Sequence, residues 1–211
     1  MKVFNFGTLL FVFTLYCFPL SVWAGSFSPE ETAQIKSELQ AILKADQATR
    51  QEVQDKLSIH SRDSAEIKAL WQQQSQIDSD NRVRVSAILE TYGWPELSEF
   101  GDLNAARTIL LVIQHGDLDY QLQHFAMAKQ AAESGNLQPY LFALLKDRVL
   151  IRQDKKQIYG SQVRIDEVSG NAYFLPIEDE ANVDVRIAAV GLEPLAEYGA
   201  PYGINYQNQD E

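Results

Sequence analysis

Apolar residues recur at helical spacing along most of this chain. The first such stripe predicts the buried face of an amphipathic helix and consists of Ile35, Leu39, Ile42 and Leu43. The segment Ser28-Pro29-Glu30-Glu31 marks the start of this helix, because serine can cap it, proline suits its first turn and Glu31 occupies the capping-box position.

The same periodicity predicts further helices. The polar run from Gln72 to Asp80 is interpreted as the exposed end of the second helix, after which Ser79 or Asp80 caps a third. Gly93-Trp94-Pro95 ends that third helix, since glycine and proline both interrupt helical backbone. The later helices are expected to begin near Leu103, Asp117, Pro139 and Val183.

After Lys156 the pattern changes from helical to alternating. Residues 158–165 alternate as a strand does, Ser169-Gly170-Asn171 forms a turn, and residues 172–175 form the return strand. The chain from Pro194 onwards is expected to be irregular and to end in a disordered tail, residues 207–211. The sequence therefore predicts a mostly α fold, a single helical domain of about six helices with one C-terminal β-hairpin.

The first 24 residues have the three parts of a signal peptide. Lys2 supplies the positive end, an apolar run follows from Val3 to Leu20, and Val22 and Ala24 are the small residues that a signal peptidase requires. The alternative is an uncleaved anchor helix, since the run is nearly long enough to span a bilayer. Pro19 and the good cleavage site favour cleavage. The expected mature protein is one domain, residues 25–206, exported to the periplasm or secreted.

Composition narrows the chemistry of the mature domain. Cleavage removes Cys17, the only cysteine, so that the domain has no disulfide and no thiolate. The formal charge of −11 becomes −12 on loss of Lys2, which argues against binding to nucleic acid. No second apolar run approaches spanning length, and no membrane span is expected after cleavage.

The first candidate site is the helix break at Gln114-His115-Gly116-Asp117. A histidine beside a carboxylate can act as a general acid or base, because its pKa is easily moved into the working range. The predicted catalytic residues are therefore His115 and Asp117, with Gln114 as a ligand-binding neighbour. The alternative is structural: Asp117 is a helix N-cap and His115 a hydrogen-bonded residue at a helix C-terminus.

The second candidate is the predicted strand from Gln157 to Gln162. Gly160 permits close approach of a ligand or of another backbone, while Tyr159 and the two glutamines can orient a ligand by hydrogen bonds. The alternative is a hairpin that packs on the helices with Tyr159 in the core. Asp147-Arg148 and Arg186 are interpreted either as structural ion pairs or as an arginine clamp for an anion.

Metal and cofactor motifs are poorly represented. His115 and Asp117 lie near Asp119 and His124 in sequence, yet no second histidine pairs with His115 at helical spacing. The chain also lacks a nucleophile elbow, a phosphate loop and a dinucleotide fingerprint. The sequence predicts neither a metal nor a cofactor.

An ordered set of short motifs resembles the bacterial domain-of-unknown-function family numbered 6624. The resemblance covers about residues 45–198. It implies a single domain and points to polar residues, among which Gln123 is a candidate for ligand binding, but it implies no particular substrate. The motifs are Asp46-Gln47 with Arg50, Gly93-Trp94-Pro95, Gln114-His115-Gly116-Asp117 with Gln123, Asp147-Arg148, residues 157–162, Pro176-Ile177-Glu178-Asp179, Val183-Asp184-Val185-Arg186 and Gly191-Leu192.

Two functions remain open at the level of sequence. The leading hypothesis is an exported domain that binds a small polar or cell-envelope-derived ligand near His115 and the segment 157–162, with hydrolysis or group transfer as the enzymatic version. The alternative is a non-catalytic interaction module of the envelope, in which the same residues form a structural network. A concave pocket favours the first, and a packed polar core favours the second.

We expect the mature N-terminus to be Gly25. The small residues Val22 and Ala24 after an apolar run place the cut between Ala24 and Gly25. Intact-mass measurement of the exported protein checks this. A species that retains residues 1–24 and sediments with membranes would show instead that the segment is an anchor.

Overall fold

The computed structural model describes residues 27–57, 59–166 and 168–207. The signal-peptide prediction and most of the predicted tail lie outside these residues. Among the helices that they form, none combines the length and the apolar composition that crossing a bilayer requires. The first part of the fold is a helical bundle of α1 (Pro29–Leu57), α2 (Ala65–Tyr92), α3 (Leu97–Phe100), α4 (Asn104–His115), α5 (Leu118–Glu133) and α6 (Pro139–Arg152).

A smaller C-terminal part packs on α6. It contains an antiparallel hairpin in which Val163 of one strand lies opposite Phe174 of the other. Its elements are β1 (Val163–Ile165), β2 (Ala172–Phe174), α7 (Val183–Val190) and α8 (Leu195–Gly199), with 3₁₀ turns at Glu180–Asn182 and Ala200–Tyr202. The predicted fold class, mostly α with one C-terminal hairpin, is confirmed; the described residues form eight α-helices rather than about six because α3 and α8 are single turns.

Helix α1 begins as the sequence predicts. Ser28 Oγ accepts a hydrogen bond from the backbone N–H of Glu31 at 3.2 Å, and the Glu31 carboxylate accepts one from the N–H of Ser28 at 2.9 Å. This reciprocal capping box satisfies two amides that the first helical turn leaves without partners.

The expected helix break at Ser79 or Asp80 is wrong, because α2 continues through both residues to Tyr92. The polar run also does not end in solvent: Gln74 is 1% exposed and Asn81 is 2% exposed. Both residues continue the buried stripe of α2, which packs against α1 and α4, and the run contains no glycine or proline that would stop a helix.

Helix α4 lies at the centre of the bundle and contacts α1, α2, α5 and α6. Its side chains Ile109, Leu110 and Ile113 are fully buried, and burial of each such side chain contributes about 1.5–3 kcal/mol to folding. Because this central helix is apolar around most of its surface, its C-terminal residue, His115, lies next to the core and is only partly exposed.

The predicted strand from Gln157 to Gln162 is wrong: β1 begins only at Val163, and the preceding residues form a loop. Gly160 has φ +73°, a left-handed backbone that a regular strand does not tolerate. A Cβ at this glycine would lie 2.6 Å from a methyl carbon of Leu195. The close approach at Gly160 is therefore made by the Leu195 side chain from within the protein.

The carboxylate of Asp147 holds this loop on α6. It is fully buried and accepts hydrogen bonds from the backbone N–H groups of Ile158 (2.7 Å), Tyr159 (3.0 Å) and Ser161 (3.0 Å), and from the Ser161 hydroxyl (2.9 Å). Ordered donors of this kind replace the water that a buried carboxylate loses. Asp147 thus joins the C-terminal part of the fold to the bundle.

Asp147→Asn should lower the free energy of unfolding by about 3 kcal/mol, because an amide cannot accept from all the donors of the loop and a hydrogen bond to a charged group contributes about 1.5–3 kcal/mol. Urea unfolding followed by circular dichroism measures the change. Asp154→Asn is the control, since Asp154 is exposed with φ 57°, a conformation that asparagine tolerates well. Equal stability of the two variants would contradict the anchoring role.

Candidate functional site

A group of polar side chains occupies the place where α1, α2 and α4 meet. Asp46 extends the buried stripe of α1, Gln74 and Asp78 lie one turn apart on α2, and His115 is the last residue of α4. Helical spacing puts these side chains in line with apolar core residues, so that they face one another instead of solvent.

The shortest contact between α1 and α4 in this group joins a histidine to a carboxylate. Nδ1 of His115 lies 2.9 Å from Oδ1 of Asp46. The Asp46 side chain is 2% exposed, whereas that of His115 is 15% exposed. Gln47 donates a second hydrogen bond to Oδ2 of Asp46 at 2.6 Å.

Asp46 remains ionised despite its burial. Burial acts to raise the pKa of Asp46, but the hydrogen bond from His115 and the positive charges of His115 and Arg50 outweigh it, and the pKa is lowered. Because the folded pKa is below the unfolded value of about 4, this carboxylate stabilises the fold above pH ~4, and the contribution is lost as pH falls through the folded value.

The ionised Asp46 fixes the tautomer of His115. A carboxylate can only accept hydrogen bonds, and Nδ1 therefore carries the proton that is donated to Asp46. In the neutral ring Nε2 then holds a free lone pair. Among the described residues, no hydrogen-bond partner faces Nε2. This is the arrangement that a general base requires.

Arg50 lies between the two carboxylates of the group. Its Nη2 is 2.6 Å from Oδ1 of Asp78 and 3.6 Å from Oδ1 of Asp46. Gln74 also donates to Oδ1 of Asp78 at 2.7 Å. Two buried polar atoms here, Nε of Arg50 and Oε1 of Gln74, make no hydrogen bond within the described part of the chain. The group therefore has unused hydrogen-bonding capacity.

Helix α6 brings two more arginines to the same end of α4. Arg148 donates to the carbonyl of Gln114 at 3.4 Å, and Arg152 donates to the carbonyl of Gly116 at 2.6 Å. The pKa of Arg148 is lowered by burial and by the neighbouring charges of Arg152 and Arg50. The backbone carbonyls of the residues before and after His115 therefore each accept a hydrogen bond from an arginine.

Two of the predicted site residues lie on another face. Asp117 is the N-cap of α5: it accepts from the N–H of Tyr120 at 2.9 Å and from Arg82 at 2.6 Å, and it is exposed. The Tyr120 N–H is the first cause of the lowered pKa of Asp117. Gln123 is exposed in the groove that Asp117 and Arg82 also line. The structural alternative for Asp117 matches this geometry, and its catalytic role stays a prediction that the geometry does not support.

The side chains of Gln157 and Gln162 form hydrogen bonds within the loop itself. Gln157 is fully buried; its amide donates to the carbonyls of Gln162 (3.0 Å) and Leu175 (2.8 Å) and accepts from the N–H of Gln162 at 2.7 Å. The Gln162 amide donates to Ser161 Oγ at 3.0 Å. These bonds order the loop in the same way as Asp147 does, which leaves few groups for a ligand.

Tyr159 and Arg186 lie on the outer side of that loop. Tyr159 is half-buried with the Lys146 ammonium 5.7 Å from its ring centre, and burial raises the pKa of its hydroxyl. Arg186 donates to the carbonyl of Ile158 at 3.0 Å and forms an ion pair with Asp179 at 3.1 Å. Of the predicted site residues, the structure brings together His115, Gln114 and Arg148.

Asp46, Asp78 and His115 could together hold a metal ion, because one ligand atom from each lies within 4.8 Å of the others. The donor set of two carboxylates and an imidazole suits several divalent metals. However, the guanidinium of Arg50 already lies between the two carboxylates and neutralises part of their charge. A cation would have to displace Arg50, and the arrangement favours the arginine.

Gln74, Asp78 and Arg152 are absent from the predicted site residues, and Asp46 and Arg50 enter the sequence-based predictions only as motif residues of the family resemblance. A signal was nevertheless present, because polar residues interrupt two apolar stripes without breaking their spacing. The interrupted stripes are Ile35, Leu39, Ile42, Asp46, Thr49 and Val53 in α1, and Ile67, Leu70, Gln74, Asp78, Asn81, Val85 and Leu89 in α2.

The comparison with protein families gives one result. The family model described as Family of unknown function (DUF6624) matches residues 33–206, and the chain therefore belongs to this family. No curated protein and no solved structure matches the chain.

Chelation should leave the melting temperature of the purified protein unchanged, because Arg50 supplies the positive charge between Asp46 and Asp78. Thermal unfolding with and without EDTA, followed by addition of Zn²⁺, Mn²⁺ or Ca²⁺, checks this. A loss of several degrees that one metal restores would show that the Asp46–Asp78–His115 group is a metal site.

Proposed function

We propose that this chain is an exported domain that binds a small polar or cell-envelope-derived ligand at His115, and that His115 acts there as a general acid and base in hydrolysis or group transfer. One observation carries the proposal: the 2.9 Å contact between Nδ1 of His115, whose side chain is 15% exposed, and the ionised, buried Asp46.

The different roles of Asp46 and His115 follow from their protonation states. Asp46 holds the imidazole in one orientation and stabilises its charged form, while Nε2 accepts a proton from an attacking water or hydroxyl group. The same nitrogen then returns the proton to the leaving group, and His115 is neutral again. A buried carboxylate behind a partly exposed histidine is the geometry that this cycle requires.

The site proposed here is composed of α1, α2, α4 and the end of α6 rather than of the segment 157–162. The hydrogen bonds of Asp147, Gln157 and Gln162 are directed inwards to the loop. Unused polar atoms are found instead at Arg50, Gln74 and Arg148: Nε of each arginine and Oε1 of the glutamine are buried and have no hydrogen-bond partner in the described structure. Such groups are common where a ligand or ordered water completes a site.

A second candidate function is a non-catalytic envelope interaction module. The observation in its favour is the network of Asp147, Gln157 and Ser161, in which fully or almost fully buried polar side chains satisfy one another and the backbone. If the Asp46–His115 pair belongs to a network of the same kind, its role is to fix the packing of α1 on α4.

His115→Asn separates the two candidates. The amide nitrogen of the substituted side chain can still donate to Asp46 from the position of Nδ1, so stability should stay within about 1 kcal/mol of the original, whereas Nε2 is lost. The full chain is expressed, and the purified protein is screened by thermal shift against metabolites and cell-wall fragments. Compounds that stabilise the original protein should not stabilise the variant, and any turnover of them should fall by about 100-fold or more.

His60→Asn serves as the control, because His60 pairs only with Glu66 at the far end of α1 and α2 in the described structure. It should keep every ligand response. Unchanged responses in His115→Asn would contradict the proposal and favour the interaction module.

A further inference from the structure

We propose that Arg148 and Arg152 bind the phosphate group of the ligand beside His115. This inference rests on the proposed function, because it names the chemical class of the molecule that occupies the same site. It starts from two guanidinium groups that the protein gathers at the end of α4 without giving either a carboxylate partner within the described residues.

The hydrogen-bonding capacity of the two arginines is largely unused. A guanidinium has five N–H donors. Arg148 spends one on a long, 3.4 Å hydrogen bond to the Gln114 carbonyl, and Arg152 spends one on the Gly116 carbonyl. The Nε of Arg148 is buried and has no partner in the described chain. A buried donor without an acceptor is costly, and an oxyanion would satisfy it.

The charges of the site point to an anion as well. Arg50 is balanced by Asp46 and Asp78, with which it forms ion pairs. The charges of Arg148 and Arg152 are not balanced in this way, although the chain as a whole carries −11. Repulsion from Arg152 and Arg50 contributes to the lowered pKa of Arg148. Two uncompensated positive charges match a phosphate dianion better than a carboxylate.

Capping of α4 does not account for both arginines. The C-terminal carbonyls of a helix attract cationic side chains, and one N–H from each arginine is used in this way. That role needs neither the burial of Arg148 nor the close approach of like charges. Tyr198 bounds the site near Arg148; burial raises the pKa of its hydroxyl to about 12, which keeps it a neutral donor, and it donates to the Ser161 carbonyl at 3.1 Å.

Inorganic phosphate is the probe. Calorimetric titration of the purified protein at constant ionic strength should give a saturable, one-site isotherm. Arg152→Gln should weaken phosphate binding by about tenfold or more, since one charge-assisted hydrogen bond is equivalent to about one order of magnitude in affinity. Arg152 is exposed, so the Arg152→Gln variant should fold. Arg148→Gln should weaken phosphate binding more than Arg152→Gln does.

Arg107→Gln is the matched control, because it removes one positive charge from an exposed position near the other end of α4. It should bind phosphate as the original protein does. Acetate should bind about tenfold more weakly than phosphate, or weaker still, because it offers less charge and fewer acceptor oxygens. Absence of saturable phosphate binding, equal binding by Arg152→Gln, or acetate affinity that equals that of phosphate would each overturn the inference.

The two proposals fail in distinguishable ways. Phosphate binding that depends on Arg152, together with unchanged ligand responses and turnover in His115→Asn, would leave the phosphate site and reject the acid–base role. Ligand responses that depend on His115 but not on Arg152 would reject the phosphate site and leave the acid–base role.

Discussion

Two carboxylates that are almost completely withdrawn from water, Asp46 and Asp147, impose the main constraint on this fold. A buried carboxylate is tolerated only where donors and positive charges replace its lost hydration. Asp147 obtains them from one short loop, and Asp46 obtains them from His115, Gln47 and Arg50. Each carboxylate therefore fixes the position of a different part of the chain, and each explains why the residues around it are held in place.

The two carboxylates differ in whether their hydrogen-bond partners remain accessible to solvent. Every bond of Asp147 ends inside the protein, on backbone N–H groups and on the hydroxyl of Ser161, so that the whole arrangement serves folding. Asp46 instead contacts a histidine whose side chain is partly exposed to solvent. The same physical requirement, compensation of a buried charge, thus yields an anchor in one place and a potential acid–base centre in the other.

Helix α6 connects these two arrangements. Its neighbouring residues Asp147 and Arg148 point in different directions: the first holds the loop after α6, and the second reaches the end of α4. Adjacent residues on a helix lie about 100° apart, so one dipeptide can serve two neighbours. Membership of the DUF6624 family, whose function is unknown, does not indicate an activity. The proposed function therefore depends on the geometry of the site.

The sequence by itself determined the helical fold class, the C-terminal hairpin and the family, because these follow from local periodicity, from turn residues and from motif order. It also singled out His115, Gln114 and Arg148. Tertiary structure alone decided that Gln74 is buried and that residues 157–162 form a loop held by Asp147, because these depend on contacts that no local pattern contains. It likewise decided the partner of His115. Asp117, which is close to His115 in sequence, is a helix cap. The carboxylate that contacts His115 comes instead from Asp46, 69 residues away, because packing of α1 against α4 brings together residues that the chain separates.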